Sequence, residues 1–171
     1  MLHSFQRYLD AGINLGIGTD TVPPDMLAEM RMASTLSKLA DNDPASASAA
    51  AVFNAATLGG AKALGRDDLG RLEPGATADI SVFNLRALHI GVVDDPIKAI
   101  IHYANGGDTD RVIVHGRTVV EDGLVLVIDE NALMSSAQKI WRQYKEGLAA
   151  RDPLKRPSTE LYPSAFPIRK K

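Results

Sequence analysis

The sequence predicts an α/β protein, because two kinds of pattern follow one another along its 171 residues. In the first half, apolar residues recur at helical spacing on both sides of one short apolar stretch, residues 14–20 (NLGIGTD), which ends in an acid. From residue 79 onward, β-branched runs alternate with turn residues. A helix, a glycine turn, an apolar strand, a polar tip and a second helix form the unit that parallel α/β proteins repeat.

Helices are predicted on both sides of the strand at residues 14–20. A short helix over residues 4–11 precedes it, since Phe5, Tyr8 and Leu9 share one face. A longer helix begins at Met26. Its buried stripe consists of apolar residues three or four positions apart, Met30, Ala33, Leu36 and Ala40.

A third helix is predicted from Asp43 and Pro44, an N-cap followed by proline at the first helical position. The alanine-rich residues 45–53 continue it to about Leu64. Gly65 then stops the helix, because glycine readily adopts the left-handed conformation of a C-cap.

The second half is predicted to be mostly sheet. Residues 79–85 form a strand, and Asp95–Pro96 opens a helix that ends at Gly106–Gly107. Two β-rich runs, 111–114 and 117–120, are separated by His115–Gly116, which indicates a two-residue hairpin turn. A last strand is predicted over residues 124–128.

The C-terminal region is predicted to be a helix and an irregular basic tail. Asp129 caps the helix, whose apolar face holds Leu133, Ala137, Trp141, Tyr144 and Leu148. Prolines 153, 157, 163 and 167 exclude regular helix beyond it. The tail from residue 151 carries six Lys/Arg against two Asp/Glu, and we expect it to pack over its own or a neighbouring subunit.

Composition excludes several classes of function. The net charge of −2 favours neither nucleic acid nor an anionic membrane as a partner. The absence of cysteine removes disulfides, thiolate metal sites and a cysteine nucleophile. The N-terminus lacks the layout of a secretory signal, so we expect a cytoplasmic protein.

Asp20 is the strongest candidate for a functional residue, because catalytic groups of parallel α/β units lie at the carboxyl ends of strands. On the pattern alone, a structural role for Asp20 as a helix or loop cap is as well supported as a functional role. His3, His89, His102 and His115 lack the spacing of metal ligands on one strand or helix. No nucleophile elbow, phosphate loop or dinucleotide fingerprint occurs.

Several motifs, in order, resemble the amidohydrolase superfamily, in particular its cytosine deaminase and triazine hydrolase branch. GIGTD at residues 16–20 resembles the last barrel strand of that family. The similarity continues through its following helices and its return to a β-sandwich, at residues 25–31, 55–65, 69–80, 95–96 and 112–117. It covers roughly residues 5–135.

The resemblance implies a fold and a division of the chain. The chain would be the C-terminal fragment of a (β/α)₈ metal-dependent hydrolase barrel, comprising its last strand and helices, plus part of a small composite β-sandwich. Residues 1–66 would end the barrel, 67–128 would belong to the β-sandwich, and 129–171 would form the C-terminal helix and proline-rich basic tail.

The resemblance also implies a chemistry, in which Asp20 is both metal ligand and proton shuttle for hydrolysis of non-peptide C–N bonds. The complete enzyme would hold zinc or iron and deaminate a small nitrogen heterocycle. Triazine dechlorination or imidazolone hydrolysis is chemically close. The family's His-x-His and further histidines are missing here, so we expect the 171-residue chain alone to be inactive and to hold no metal.

Two further expectations concern partners. The missing N-terminal part of the barrel, or a second copy in a homo-oligomer, would cover the open edge of the strand at residues 15–17. The alternative to an enzyme is a non-enzymatic assembly or interaction module, which the lack of a complete metal site favours.

Overall fold

The structure, a computed structural model, describes residues 4–20 and 24–166. Its contacts divide the chain into two units, Met1–Leu126 and Val127–Lys171. The chain is a mixed α/β protein, as the sequence predicted. None of the helices in the described ranges has the length and apolar character needed to cross a membrane.

The described part of the first unit contains five α-helices, all but one of which begin at a polar side chain that caps them. They are α1 (Phe5–Asp10), α2 (Met26–Asp41), α3 (Ala49–Asn54), α4 (Gly60–Ala63) and α5 (Pro96–His102). A π-helical segment, Ala55–Gly59, joins α3 to α4. Asp25 caps α2 and Asp95 caps α5, each accepting hydrogen bonds from two backbone N–H groups of the first turn.

The predicted start of the third helix at Asp43 and Pro44 is wrong. The Asp43 carboxylate instead accepts a hydrogen bond from the Ala45 N–H at 2.8 Å, which forms a turn. The helix begins at Ala49, where the Ser48 hydroxyl accepts from the Ala51 N–H. The reason is Ala47, a buried residue whose φ of 44° cannot continue a right-handed helix.

Four antiparallel strands form one sheet in the order β1-β2-β3-β4. They are β1 (Ile80–Phe83), β2 (Thr109–Val114), β3 (Arg117–Glu121) and β4 (Leu124–Val125). The predicted hairpin over residues 111–120 is confirmed, with Val114 paired to Arg117 across the turn. The last strand is shorter than the predicted 124–128, and α5 ends at His102, four residues before a separate 3₁₀ turn, Gly106–Asp108.

The strand predicted at residues 14–20 does not form a strand. No segment of the described chain pairs with it, and a strand exists only through hydrogen bonds to a neighbour. Ile17 nevertheless packs against the hydrophobic core built from α2, α3 and α5, in which Val52 and Ile101 are fully buried.

The second unit consists of α6 (Glu130–Glu146), α7 (Leu148–Arg151) and α8 (Ser158–Leu161). Asp129 caps α6 as predicted, accepting from the Ala132 N–H at 2.9 Å. The prediction that prolines exclude regular helix after residue 152 is wrong for α8. Its single turn begins directly after Pro157 and ends before Pro163, so neither ring interrupts its hydrogen bonds.

Candidate active site

The segment leading to Asp20 is fixed against the helical backbone at Gly59 and Gly60. The Asn14 side-chain amide donates a hydrogen bond to the Gly59 carbonyl at 3.0 Å. A Cβ on Gly59 would lie 2.0 Å from the Leu15 carbonyl oxygen, and one on Gly16 would lie 3.5 Å from the Gly60 Cα. Only glycine at position 59 permits this approach of two backbones.

The π-helical segment Ala55–Gly59 brings these glycines to the contact. A π segment is an α-helix with one extra residue, and such segments are frequent at functional sites. The Thr57 hydroxyl donates to the Phe53 carbonyl at 2.8 Å, so this turn of the helix keeps an extra hydrogen bond. Gly59 closes the segment and Gly60 begins α4.

Asp20 lies at the exposed end of the segment with a φ of 52°. This left-handed conformation is uncommon for residues other than glycine, but aspartate and asparagine tolerate it. Strained backbone of this kind occurs often at functional sites. The carboxylate therefore projects from a bent backbone at the point where the sequence places a functional acid.

Asp25, five residues after Asp20, is held by hydrogen bonds from two parts of the chain. Its Oδ1 caps α2, and its Oδ2 accepts a hydrogen bond from the Gly106 N–H at 2.9 Å. Partial burial by itself raises the pKa of Asp25, but hydrogen bonds from Gly106, Ala28 and Leu27 outweigh it and hold the pKa below its ordinary value. Asp25 is thus held as an anion that ties α2 to the turn after α5.

Arg31 makes a second connection between the same two elements. Its Nε donates to the Ile101 carbonyl at 3.1 Å, and its guanidinium also donates to the Ala104 carbonyl. These are carbonyl groups at the C-terminal end of α5, where a cation is favoured. Together, Asp25 and Arg31 join the first half of α2 to the C-terminal end of α5 and the turn that follows it.

The groove beside the segment does not contain Asp20. It has a volume of about 420 Å³ and lies between the start of the segment and the helix, where it is lined by Asn14, Leu15, Leu58 and Lys62 among others. Asp20 is not among its lining residues. A substrate reaching Asp20 would therefore need walls that come from outside this groove.

The described histidines occupy separate places. His89 contacts Asp108, and His102 ends α5. His115 lies in the β2–β3 turn, where its backbone N–H donates a hydrogen bond to the Asp79 carboxylate at 2.7 Å. His3 lies outside the described residues. Within residues 4–20 and 24–166, no three His, Asp or Glu side chains are grouped so that they could hold a metal ion.

The sequence reasoning missed one polar cluster, formed by His89, Asn105 and Asp108. The His89 Nε2 lies 3.0 Å from Asp108 Oδ2 and 3.3 Å from Asn105 Nδ2. Asp108 also accepts from the Asn105 N–H at 2.8 Å, which completes the cap of the 3₁₀ turn. The spacing of Asn105 and Asp108 could have predicted this capping box. His89 could not have been assigned to it, because His89 is 19 residues from Asp108 in the sequence.

The model of the amidohydrolase family matches residues 2–119, more than half of the chain. Among curated proteins, the chain is 40% identical over 135 residues to a 5-methylthioadenosine/S-adenosylhomocysteine deaminase of Pelotomaculum thermopropionicum. That alignment covers 77% of this chain and 31% of the relative.

Solved structures show the same similarity. An adenosine deaminase from Xanthomonas campestris with bound zinc matches with a TM-score of 0.74 and 34% identity, over 79% of this chain and 32% of that one. Atrazine chlorohydrolase from Arthrobacter aurescens, in complex with zinc, matches with a TM-score of 0.66 and 32% identity, over 78% and 31%. This chain thus spans about a third of the length of the proteins it matches.

Proposed function

This chain belongs to the amidohydrolase family, and on that basis we propose that it is the C-terminal portion of a metal-dependent enzyme that hydrolyses non-peptide C–N bonds. The proposed reaction is the deamination of a nitrogen heterocycle. The observation that carries the proposal is the family match across residues 2–119, which includes Asp20 at the bent, exposed end of its segment.

Asp20 is the residue to which we assign the proton transfer. In hydrolytic deamination, water adds to the ring carbon that bears the amino group, and the C–N bond breaks as ammonia leaves. The water must lose a proton and the departing nitrogen must gain one. A carboxylate that accepts the first proton and delivers the second fulfils both needs, and the exposed Asp20 side chain is free to approach a water.

The residues of this chain do not by themselves fit a catalytic metal site. Catalytic zinc takes about three protein ligands and a water, whereas Asp20 supplies one carboxylate and the described residues contain no metal-binding cluster around it. A divalent ion, when held by the complete enzyme, would lower the pKa of its bound water. We propose that Asp20 contributes one ligand and that the others come from the N-terminal part of the barrel.

The proposed substrate is an adenine-containing nucleoside. A relative at 40% identity is named a 5-methylthioadenosine/S-adenosylhomocysteine deaminase, and a solved relative is named an adenosine deaminase. The similarity to atrazine chlorohydrolase keeps triazine dehalogenation as the second candidate. Both reactions add water to an electron-poor ring carbon and expel a leaving group from it.

The proposal includes an organisation of the chain. Residues 1–66 would complete the barrel, 67–128 would join the β-sandwich, and 129–171 would form a C-terminal appendage. The complete enzyme would act in the cytoplasm as a homo-oligomer. The two antiparallel contacts that β2 makes with β1 and β3 support a sheet domain distinct from the parallel barrel.

The test begins with the coding sequence upstream of Met1 in the source genome. We expect the same reading frame to continue through a His-x-His motif. A ribosome-binding signal at Met1 with no upstream frame would instead favour the assembly module. The complete enzyme is then assayed for ammonia release from adenosine and 5-methylthioadenosine, and for chloride release from atrazine.

In the complete enzyme, Asp20→Asn should lower deaminase activity by roughly 100-fold to 10,000-fold, as expected for loss of a positioned general base. Asparagine also tolerates the left-handed backbone, so the fold should persist. Asp94→Asn, the same change at another exposed aspartate, is the control and should retain activity. Full activity in Asp20→Asn would refute the assignment.

A further inference from the structure

Helix α6 carries an apolar face for which the second unit provides little cover. None of its 17 residues is buried within the described part of the chain. Leu133, Met134 and Ile140 are 53%, 66% and 64% exposed, although side chains of this type usually lie in cores. Exposed apolar groups that adjoin one another on a helix mark an interaction surface.

The apolar face is symmetric about Ala137. Leu133 and Met134 precede Ala137 by four and three residues, and Ile140 and Trp141 follow it by three and four. All four therefore lie within about 60° of Ala137 around the helix axis. A small residue flanked by matching large ones is what two copies of a helix need in order to cross antiparallel at close range, because a two-fold axis at Ala137 exchanges the two ends.

The charges along α6 also favour an antiparallel pair. Asp129 and Glu130 lie at its N-terminal end, whereas Lys139, Arg142 and Lys145 lie in its second half, which holds one acid, Glu146. An antiparallel crossing at Ala137 would place Glu130 beside Lys145 of the second copy, because both lie on the same flank of the helix. A parallel pairing would align like charges instead, so charge complementarity favours the antiparallel arrangement.

The Trp141 side chain is fixed by neighbouring aromatic rings and is still partly exposed. Its ring stacks on Tyr144 at 5.6 Å and meets the Tyr162 ring edge-on at 5.6 Å, while 43% of Trp141 stays exposed. The Arg151 guanidinium lies 5.3 Å from the centre of the Tyr144 ring. A tryptophan whose rotamer is already fixed loses little entropy on binding, which suits it as an interface anchor.

We propose that α6 is a dimerisation element, which binds α6 of a second copy of this chain in antiparallel orientation about Ala137. Leu133 of each copy would contact Ile140 of the other, and Met134 would contact Trp141, because each of these pairs lies on one flank of Ala137. The inference specifies the oligomer surface of the proposed enzyme but does not depend on its catalytic activity. With about five side chains from each copy, the interface is small, and we expect dissociation on the order of micromolar concentration.

The first experiment measures association of the full 171-residue chain by sedimentation velocity over a concentration series. We expect a monomer–dimer equilibrium. Ala137→Glu places a charge at the two-fold axis and keeps a good helix former, so the dimer should be lost. Ser135→Glu adds the same charge about 160° away around the helix and should dimerise like the unmodified chain.

Trp141 is the chain's one tryptophan, so its fluorescence reports on the proposed interface directly. Emission should move to shorter wavelength as the concentration rises through the dimerisation range, and this shift should vanish in Ala137→Glu. Circular dichroism shows whether Ala137→Glu keeps its helix content.

Disulfide formation tests the orientation, because the chain contains no cysteine of its own. Leu133→Cys and Ile140→Cys chains are prepared separately, mixed and oxidised. Antiparallel pairing predicts the mixed disulfide between the two variants. Parallel pairing predicts that each variant cross-links to itself.

Three outcomes would overturn the proposal. They are a monomer at all concentrations, self-cross-linking of each variant in place of the mixed disulfide, and undiminished association in Ala137→Glu. The last result would assign self-association to another surface, such as the segment at residues 13–20. None of these outcomes bears on whether Asp20 acts in catalysis, so failure here is distinguishable from failure of the proposed function.

Discussion

Gly59 and Leu15 lie so close that a Cβ on the glycine would stand 2.0 Å from the leucine carbonyl oxygen. Gly59→Ala must therefore move either the helix or the segment that leads to Asp20. We expect it to lower the free energy of unfolding by about 1–3 kcal/mol, the usual range for overpacking. Urea titration followed by circular dichroism measures the change.

Gly60→Ala is the matched control for that substitution. Its added Cβ would meet no atom nearer than the Ala55 carbonyl oxygen at 4.0 Å, and its backbone is helical. Alanine should therefore stabilise the helix by up to about 1 kcal/mol. Equal effects at both positions would contradict the close approach at Gly59.

A comparison of Asp25 with Asp95 measures how much the hydrogen bond from Gly106 to Asp25 contributes to stability. Both cap a helix through two backbone N–H groups, but Asp25 also accepts the Gly106 N–H. Asp95→Ala should cost about 1 kcal/mol as the loss of an N-cap. Asp25→Ala should cost about 1 kcal/mol more, because a hydrogen bond to a charged group is lost as well. Thermal unfolding of the two variants gives the difference, and equal losses would exclude a stabilising role for the Gly106 contact.

The stability of the C-terminal unit should depend on the ionisation of Asp152. Hydrogen bonds from the Arg156 side chain and N–H lower the pKa of Asp152 from its ordinary 3.8 to about 2. Because the pKa is lower in the folded state, this contribution to stability is present above pH 3.8 and is lost as the pH falls toward 2. Carboxyl NMR should show Asp152 titrating near pH 2, and Arg156→Met should return the midpoint toward 3.8. An unchanged midpoint in the variant would contradict the assigned cause.

The isolated chain should hold no tightly bound metal. Asp20 offers one carboxylate, and among residues 4–20 and 24–166 no cluster of three metal-binding side chains exists. Elemental analysis of the dialysed 171-residue chain should find far less than one zinc or iron per molecule. One metal retained per chain would show that ligands converge in a way the described residues do not.

Short-range signals in the sequence predicted much of the fold. Asp95 before Pro96 indicated the start of α5, and His115–Gly116 indicated the hairpin, because caps and tight turns depend on a few adjacent residues. Asp20 was identified in the same way, from its position at the end of an apolar run. Its roles as metal ligand and proton shuttle remain predictions.

Features that depend on distant residues could not be predicted. Ala47 adopts its left-handed backbone between two tertiary hydrogen bonds, one from its N–H to Gln6 and one from Ser34 to its carbonyl. Asp25 and Gly106 are 81 residues apart. The strand expected at residues 14–20 failed for the opposite reason, since its local pattern is sound but no described segment pairs with it.

The π segment makes the spacing of this region intolerant of a change in length. Removing one residue from Ala55–Gly59 would restore an ordinary α-helix and abolish the wide turn that the extra residue creates. The close approach of Gly59 to the Leu15 carbonyl oxygen depends on that turn and would be lost with it. Single-residue deletions here should therefore do more harm than most substitutions, and sequences that share this contact should keep the number of residues between Ser48 and Gly59 constant.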